Sequence, residues 1–143
     1  MKFYFVTSKG LISKIIRAFE GGRSSHVAIG INNRIYDSTL LHGVKSWSEE
    51  EFSAKHTIQD IIELDLSMED LALCFLLDQV GKSYDWTALI GFLLWRDWTK
   101  PDRWYCSELA LAVIQNGSSY SLADKHNRVG VRLLHELVNA WRQ

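Results

Sequence analysis

The chain has 143 residues, 47% of them hydrophobic, and its 16 basic and 17 acidic side chains nearly cancel to a net charge of −1. This is the size of one domain with enough apolar content for a real core, and a single domain over residues 1–143 is expected. The balance of charge lacks the basic excess that nucleic acid demands of a partner. Two cysteines, Cys74 and Cys106, are too few for a disulfide-stapled secreted domain and read as free thiols.

Residues 2–7 alternate and are rich in Phe, Tyr and Val, which predicts a short strand. The apolar part of that stretch is too short for a signal sequence. The expected location is therefore the cytoplasm, with delivery by a phage or a secretion system as the other route. Leu11, Ile12, Ile15, Ile16 and Phe19 then recur at helical spacing opposite Lys14, Arg17 and Glu20, and Gly21 and Gly22 close the segment, predicting an amphipathic helix. Residues 26–31 read as a strand, Asn32 and Asn33 as a two-residue hairpin turn, and residues 34–38 as the returning strand. Further strand character at residues 43–47 and 55–66 flanks an acidic helical turn at residues 48–52.

The second half is helical in pattern. Ser67 and Asp70 have capping-box spacing ahead of a helix that Gly81 closes, and three more helices are predicted at about residues 86–95, 107–115 and 131–141. The order of elements predicts an α+β domain with a small antiparallel sheet packed against helices. The longest apolar stretch, residues 86–98, is broken by Thr87, Gly91, Arg96 and Asp97 and falls short of the roughly 18 residues of a membrane span. Burial against the sheet is favoured for it, and membrane contact is possible but not favoured.

Cys106 is the first candidate for chemistry, because it opens an apolar helix, where the dipole and the unpaired backbone N–H groups favour thiolate. Taken alone, a lone cysteine is more often a small core residue. Cys74 is assigned that role, on a helix face with Leu71, Phe75 and Leu77. His26 begins a strand directly after a polar turn, and the hairpin at Asn32 and Asn33 returns Asp37 to about its level. A histidine so placed can offer one ring nitrogen to a nucleophile and the other to the carboxylate. His42, His56, His126 and His135 are weaker candidates without a paired acid, His42 being the best reserve. No histidine pair has metal spacing with a third ligand, so no metal is expected. No phosphate loop, dinucleotide fingerprint or Gly-x-Ser-x-Gly elbow is present, and no cofactor is implied.

The stretches at residues 10–31, 35–38, 81–86 and 104–109, with Ser25-His26 and Cys106-Ser107-Glu108 as their most specific parts, resemble the circularly permuted NlpC-type papain-like proteins. That group includes uncharacterised bacterial and phage proteins and, more distantly, the lecithin:retinol acyltransferase enzymes. The resemblance runs to about residue 116. It implies a permuted papain-like fold with Cys106 as nucleophile, His26 as base and Asp37, or a neighbour on its strand, as the orienting group. It also implies an acyl-enzyme formed on an amide, ester or peptide substrate, cell-wall peptide being one candidate. Tyr84 and Tyr105 are alternative second donors to the oxyanion, or else core aromatics. The competing expectations are a lipid acyltransferase or thioesterase of the same fold, acting on a lipid ester, and a catalytically idle binding module in a phage or effector particle.

Overall fold

The structure is a computed structural model that describes residues 1–94, 102–120 and 129–142. It is built on a five-stranded sheet in the order β4-β3-β2-β1-β5, formed by β1 (Lys2–Ser8), β2 (His26–Ile31), β3 (Arg34–Thr39), β4 (Gly43–Trp47) and β5 (His56–Glu63). Every neighbouring pair in it is antiparallel. The β2–β3 hairpin turns at Asn32 and Asn33, whose φ values of 50° and 59° give the twist that matches right-handed strands. The mixed α and β architecture with an antiparallel sheet and helices is as the sequence predicts.

The two faces of the sheet are covered unequally. Phe3, Phe5, Val27, Ile29 and Ile62 join the larger core with α3 (Glu69–Gln79), α5 (Cys106–Gly117) and α6 (Val131–Trp141). Helix α5 is buried nearly all round, as expected of a helix caught between a sheet and other helices. The opposite face carries Tyr4, Val6, Ala28, Ile35 and Trp47 under Phe52 of α2 (Glu49–Lys55). A two-stranded parallel ladder of β6 (Ser83–Tyr84) and β7 (Arg103–Trp104) was not legible in the sequence. It lies beside the N-terminus of α5, and α4 (Trp86–Leu93) follows β6 directly.

Two expectations change. The capping box lies not at Ser67, since α3 begins after Met68 without a side-chain cap, but at Ser48 and Glu51, which bond each other's backbone at the start of α2. Cys74 is exposed, not a core residue. At about 100° per residue, the buried Ala72, Leu76 and Gln79 occupy one side of α3 and Cys74 falls opposite. The apolar stripe chosen from the sequence is therefore the wrong side of that helix. Helix α1 (Leu11–Glu20) is as amphipathic as predicted, yet it buries Ser13 and Ile16 and leaves Leu11 74% exposed and Ile15 45% exposed. In the 86–98 segment α4 ends at Leu93, and Trp95, Arg96, Asp97 and Trp98 lie outside the described residues. Among the described residues, no helix is long and apolar enough to cross a membrane.

Candidate active site

One end of the sheet, where β1 stops and β2 and β5 start, opens into a cleft of about 490 Å³ whose wall includes His26, His56, Tyr84, Tyr105 and Cys106. His26 enters it from the first residue of β2. The turn before it is fixed by a hydrogen bond from Ser25 N to Val6 O, at 3.0 Å, and by the Ser25 and Ser13 hydroxyls, 2.6 Å apart, which join β2 to α1.

Asp37 reaches His26 through the register of the hairpin. Ile29 pairs with Tyr36 and Gly30 with Ile35, and continuing that ladder sets Asp37 opposite Ala28. Ala28 and His26 share a face because side chains alternate along a strand, so Asp37 and His26 are diagonal neighbours. Asp37 Oδ2 lies 2.8 Å from His26 Nε2, and Trp47 Nε1 donates to Oδ1 at 2.7 Å. Asp37 is only 1% exposed. Both oxygens of this buried carboxylate thus have partners, which is what a charge removed from water requires.

Cys106 is the first residue of α5 and is 2% exposed. The end of the helix is held by the strand pair beside it. Ser38 Oγ donates to Trp104 O at 2.7 Å, Asp85 N donates to the same oxygen at 3.2 Å, and Trp104 Nε1 donates to Gln79 Oε1 at 3.1 Å. Cys106 and His26 line the same cleft, and with Nε2 turned to Asp37 the ring sits between that carboxylate and the cleft. Burial alone would lower the pKa of His26. The negative charge that Cys106 can carry, the hydrogen bond to Asp37 and the charge of Asp37 outweigh it and push the imidazole up to about 10. The ring is therefore positive at neutral pH.

Both tyrosines border the sulfur. Burial raises Tyr84, with the Cys106 and Asp85 charges adding to it. Tyr105 is raised well above the ordinary phenol value, again by burial first, then by the Cys106 and Tyr84 charges. Each phenol keeps its proton and so retains an O–H able to donate. Their rings pack edge to face with centroids 6.0 Å apart.

One contributor, Trp47, escaped the sequence reading and another, His56, stands there only as a weaker candidate. Trp47 anchors Asp37, and the Lys45 and Lys55 ammonium groups lie over its ring at 4.2 and 3.9 Å. His56 stacks on His26 with centroids 5.6 Å apart and on Phe52 at 4.4 Å. Its Nδ1 lies 3.1 Å from Phe52 O. Burial lowers its pKa, and the positive His26 lowers it further, so this ring is neutral. No local pattern announces His56, which arrives through the long-range pairing of Ser8 with His56 between β1 and β5. His42, the reserve candidate, packs edge-on against Trp47 at 5.6 Å. His135 does have an acid, Asp60 at 2.8 Å, on the exposed surface. His126 lies outside the described residues.

Sequence spacing offered no metal ligands, yet folding gathers His26, Asp37 and His56 so that one ligand atom from each lies within 4.8 Å of the others. Two of the three are already bonded to each other at 2.8 Å, closer than the roughly 3.3 Å between two ligands of a tetrahedral zinc. The arrangement is that of an acid-held imidazole with a thiol and two phenols in the wall of the same cleft. No family model, no curated protein and no solved structure matches the chain.

Proposed function

We propose that this protein is a cysteine-nucleophile hydrolase of amidase or peptidase type, on a permuted papain-like fold, working through Cys106, His26 and Asp37. The observation that carries the reading is that Cys106, at the start of α5, shares one cleft with an imidazole whose Nε2 is 2.8 Å from a buried carboxylate. A nucleophile, a base and an orienting acid in sequence are the minimum that acyl transfer needs.

In this reading the thiolate attacks the substrate carbonyl carbon and forms a C–S bond. The carbonyl oxygen takes the negative charge and is held by the backbone N–H of Cys106 at the start of α5 and by a phenol, for which Tyr84 is the better placed because it is less deeply buried than Tyr105. His26 gives its proton to the leaving nitrogen or oxygen as that bond breaks. A water molecule, deprotonated by the neutral ring, then attacks the thioester, releases the acid and restores the thiolate. Asp37 keeps its charge throughout and fixes the ring that shuttles the proton.

The cleft favours a second reading for the acyl group. Ile12, Ile16, Leu40 and Leu41 line it beside Cys106, and an ester or thioester with an apolar chain, the lipid acyltransferase or thioesterase alternative, suits such a wall. Hydrolysis of a long-chain thioester with no hydrolysis of acyl peptides would select it.

The test is alkylation of Cys106 across pH. It must be made in a Cys74→Ser background because Cys74 is exposed. Fast alkylation persisting to about pH 6, and falling about a hundredfold there in His26→Ala, is the expected result. Alkylation at the rate of a simple thiol, indifferent to His26, would leave an idle binding module in place of an enzyme.

A further inference from the structure

Helix α1 presents to solvent the side that an amphipathic helix ordinarily buries. Leu11, Ile12 and Ile15 fall on one arc of the helix, and all are exposed, as are Leu40 and the 86% exposed Leu41 after β3. Ile12, Leu40 and Leu41 also border the mouth of the Cys106 cleft, so the apolar surface and the cleft are continuous. Beside it a second, shallow groove of about 530 Å³ is walled by Lys9, Lys14 and Arg17 together with Thr7, Ser8 and Thr57. Three cations and three hydroxyls meet there, and no carboxylate is in its wall. Glu20, the one acid of α1, is occupied elsewhere, accepting from Val131 N and Arg132 N of α6.

An apolar stripe flanked by cations is the pattern of a helix that lies in a lipid interface. The geometry points to α1 and the Leu40–Leu41 turn as a docking surface for an anionic membrane, with the apolar side chains entering the acyl boundary and Lys9, Lys14 and Arg17 holding lipid phosphates. A second copy of the chain fits less well, because a two-fold contact through this face would set the same cations against each other. Docked in this way, the cleft opens toward the bilayer. The surface does not depend on the hydrolase reading, since it concerns where the protein sits and not what Cys106 does.

The experiment is co-sedimentation with vesicles of phosphatidylcholine alone or with a third phosphatidylglycerol, at low and high salt, using the full chain. Binding confined to the anionic vesicles and weakened by salt is expected. Lys9→Gln and Lys14→Gln should each lower the partition coefficient about fivefold, and the double variant Leu11→Ser, Ile15→Ser about tenfold or more. Circular dichroism and the rate of Cys106 alkylation monitor folding, and the two surface lysine variants keep the test decisive if the serine variant unfolds. Absence of binding, equal binding to both vesicles, or variants that bind as the parent does would overturn the proposal. So would a dimer in sedimentation that the serine variant dissociates, which would assign the face to a second copy.

Discussion

His56 shows how much a single side chain at the edge of the site can govern. Its ring lies between Phe52 and His26, and its proton affinity is depressed first by burial and then by the positive neighbour. The folded pKa is below the ordinary 6.5, so the unfolded chain binds the proton more tightly. The associated stability is present above about pH 6.5 and is lost as pH falls through the depressed folded value. Replacing His56 with Phe keeps the stack and removes the titration. Urea denaturation of His56→Phe should therefore lose less stability between about pH 7 and 5 than the parent. The same steep acid loss in both proteins would mean that another group is responsible. His26, Asp37 and Cys106 could be singled out from the sequence because each stands next to a local landmark: a polar turn, a hairpin partner and the start of an apolar helix. His56 and Trp47 stand next to none, because what brings them to the site is pairing and packing between residues far apart in the chain.

The elements were most legible where chemistry is local. Asn32 and Asn33 announce their turn, and the period of Val131–Trp141 gives the helix its bounds. Where two segments carry the same local signature, packing decides between them, as with Ser48 and Ser67. Helix α3 is harder to read: apolar side chains surround it, so no stripe in the sequence tells which side meets α5, and Cys74 lies opposite the buried Ala72, Leu76 and Gln79. The ladder of β6 and β7 is only two residues per strand, too short for a period to show. Gly43 reveals how that region is tied to the sheet. Its φ is +63°, and a Cβ there would stand 2.2 Å from Lys82 O, the oxygen that accepts from Val44 N at 2.8 Å. Gly43→Ala must break this contact or shift β4, and a loss of about 2 kcal/mol or more in denaturant midpoint experiments is expected. A change within about 0.5 kcal/mol, the range of ordinary surface substitutions, would show the turn to be more compliant than its contacts indicate.

At the scale of the molecule, the site is an assembly of distant parts: β2 and β3 supply the imidazole and its acid, α5 the thiol, β6 and the residue after β7 the phenols. The chain brings them together by closing on itself. Ser107 Oγ on α5 donates to Val129 O just ahead of α6, at 2.5 Å. Leu134 and Val138 of α6 are wholly buried in the larger core. At its N-terminus α6 has no side-chain cap of its own; the carboxylate of Glu20, more than a hundred residues earlier, takes that place and accepts from Val131 N and Arg132 N at 3.2 and 2.7 Å. Arg132 Nη1 returns a bond to Glu20 O at 3.1 Å. A cap supplied across the fold joins the end of α1 to the start of α6, and it could not be found by any search for local capping residues. Glu20→Ala should lower stability by about 1–2 kcal/mol, the range for losing a helix cap, and because Ser13 of α1 bonds Ser25 beside His26, it should also slow Cys106 alkylation at neutral pH. Lost stability with an unchanged alkylation rate would show that α1 is seated by the sheet alone, and that the clamp to α6 serves the core without setting the cleft.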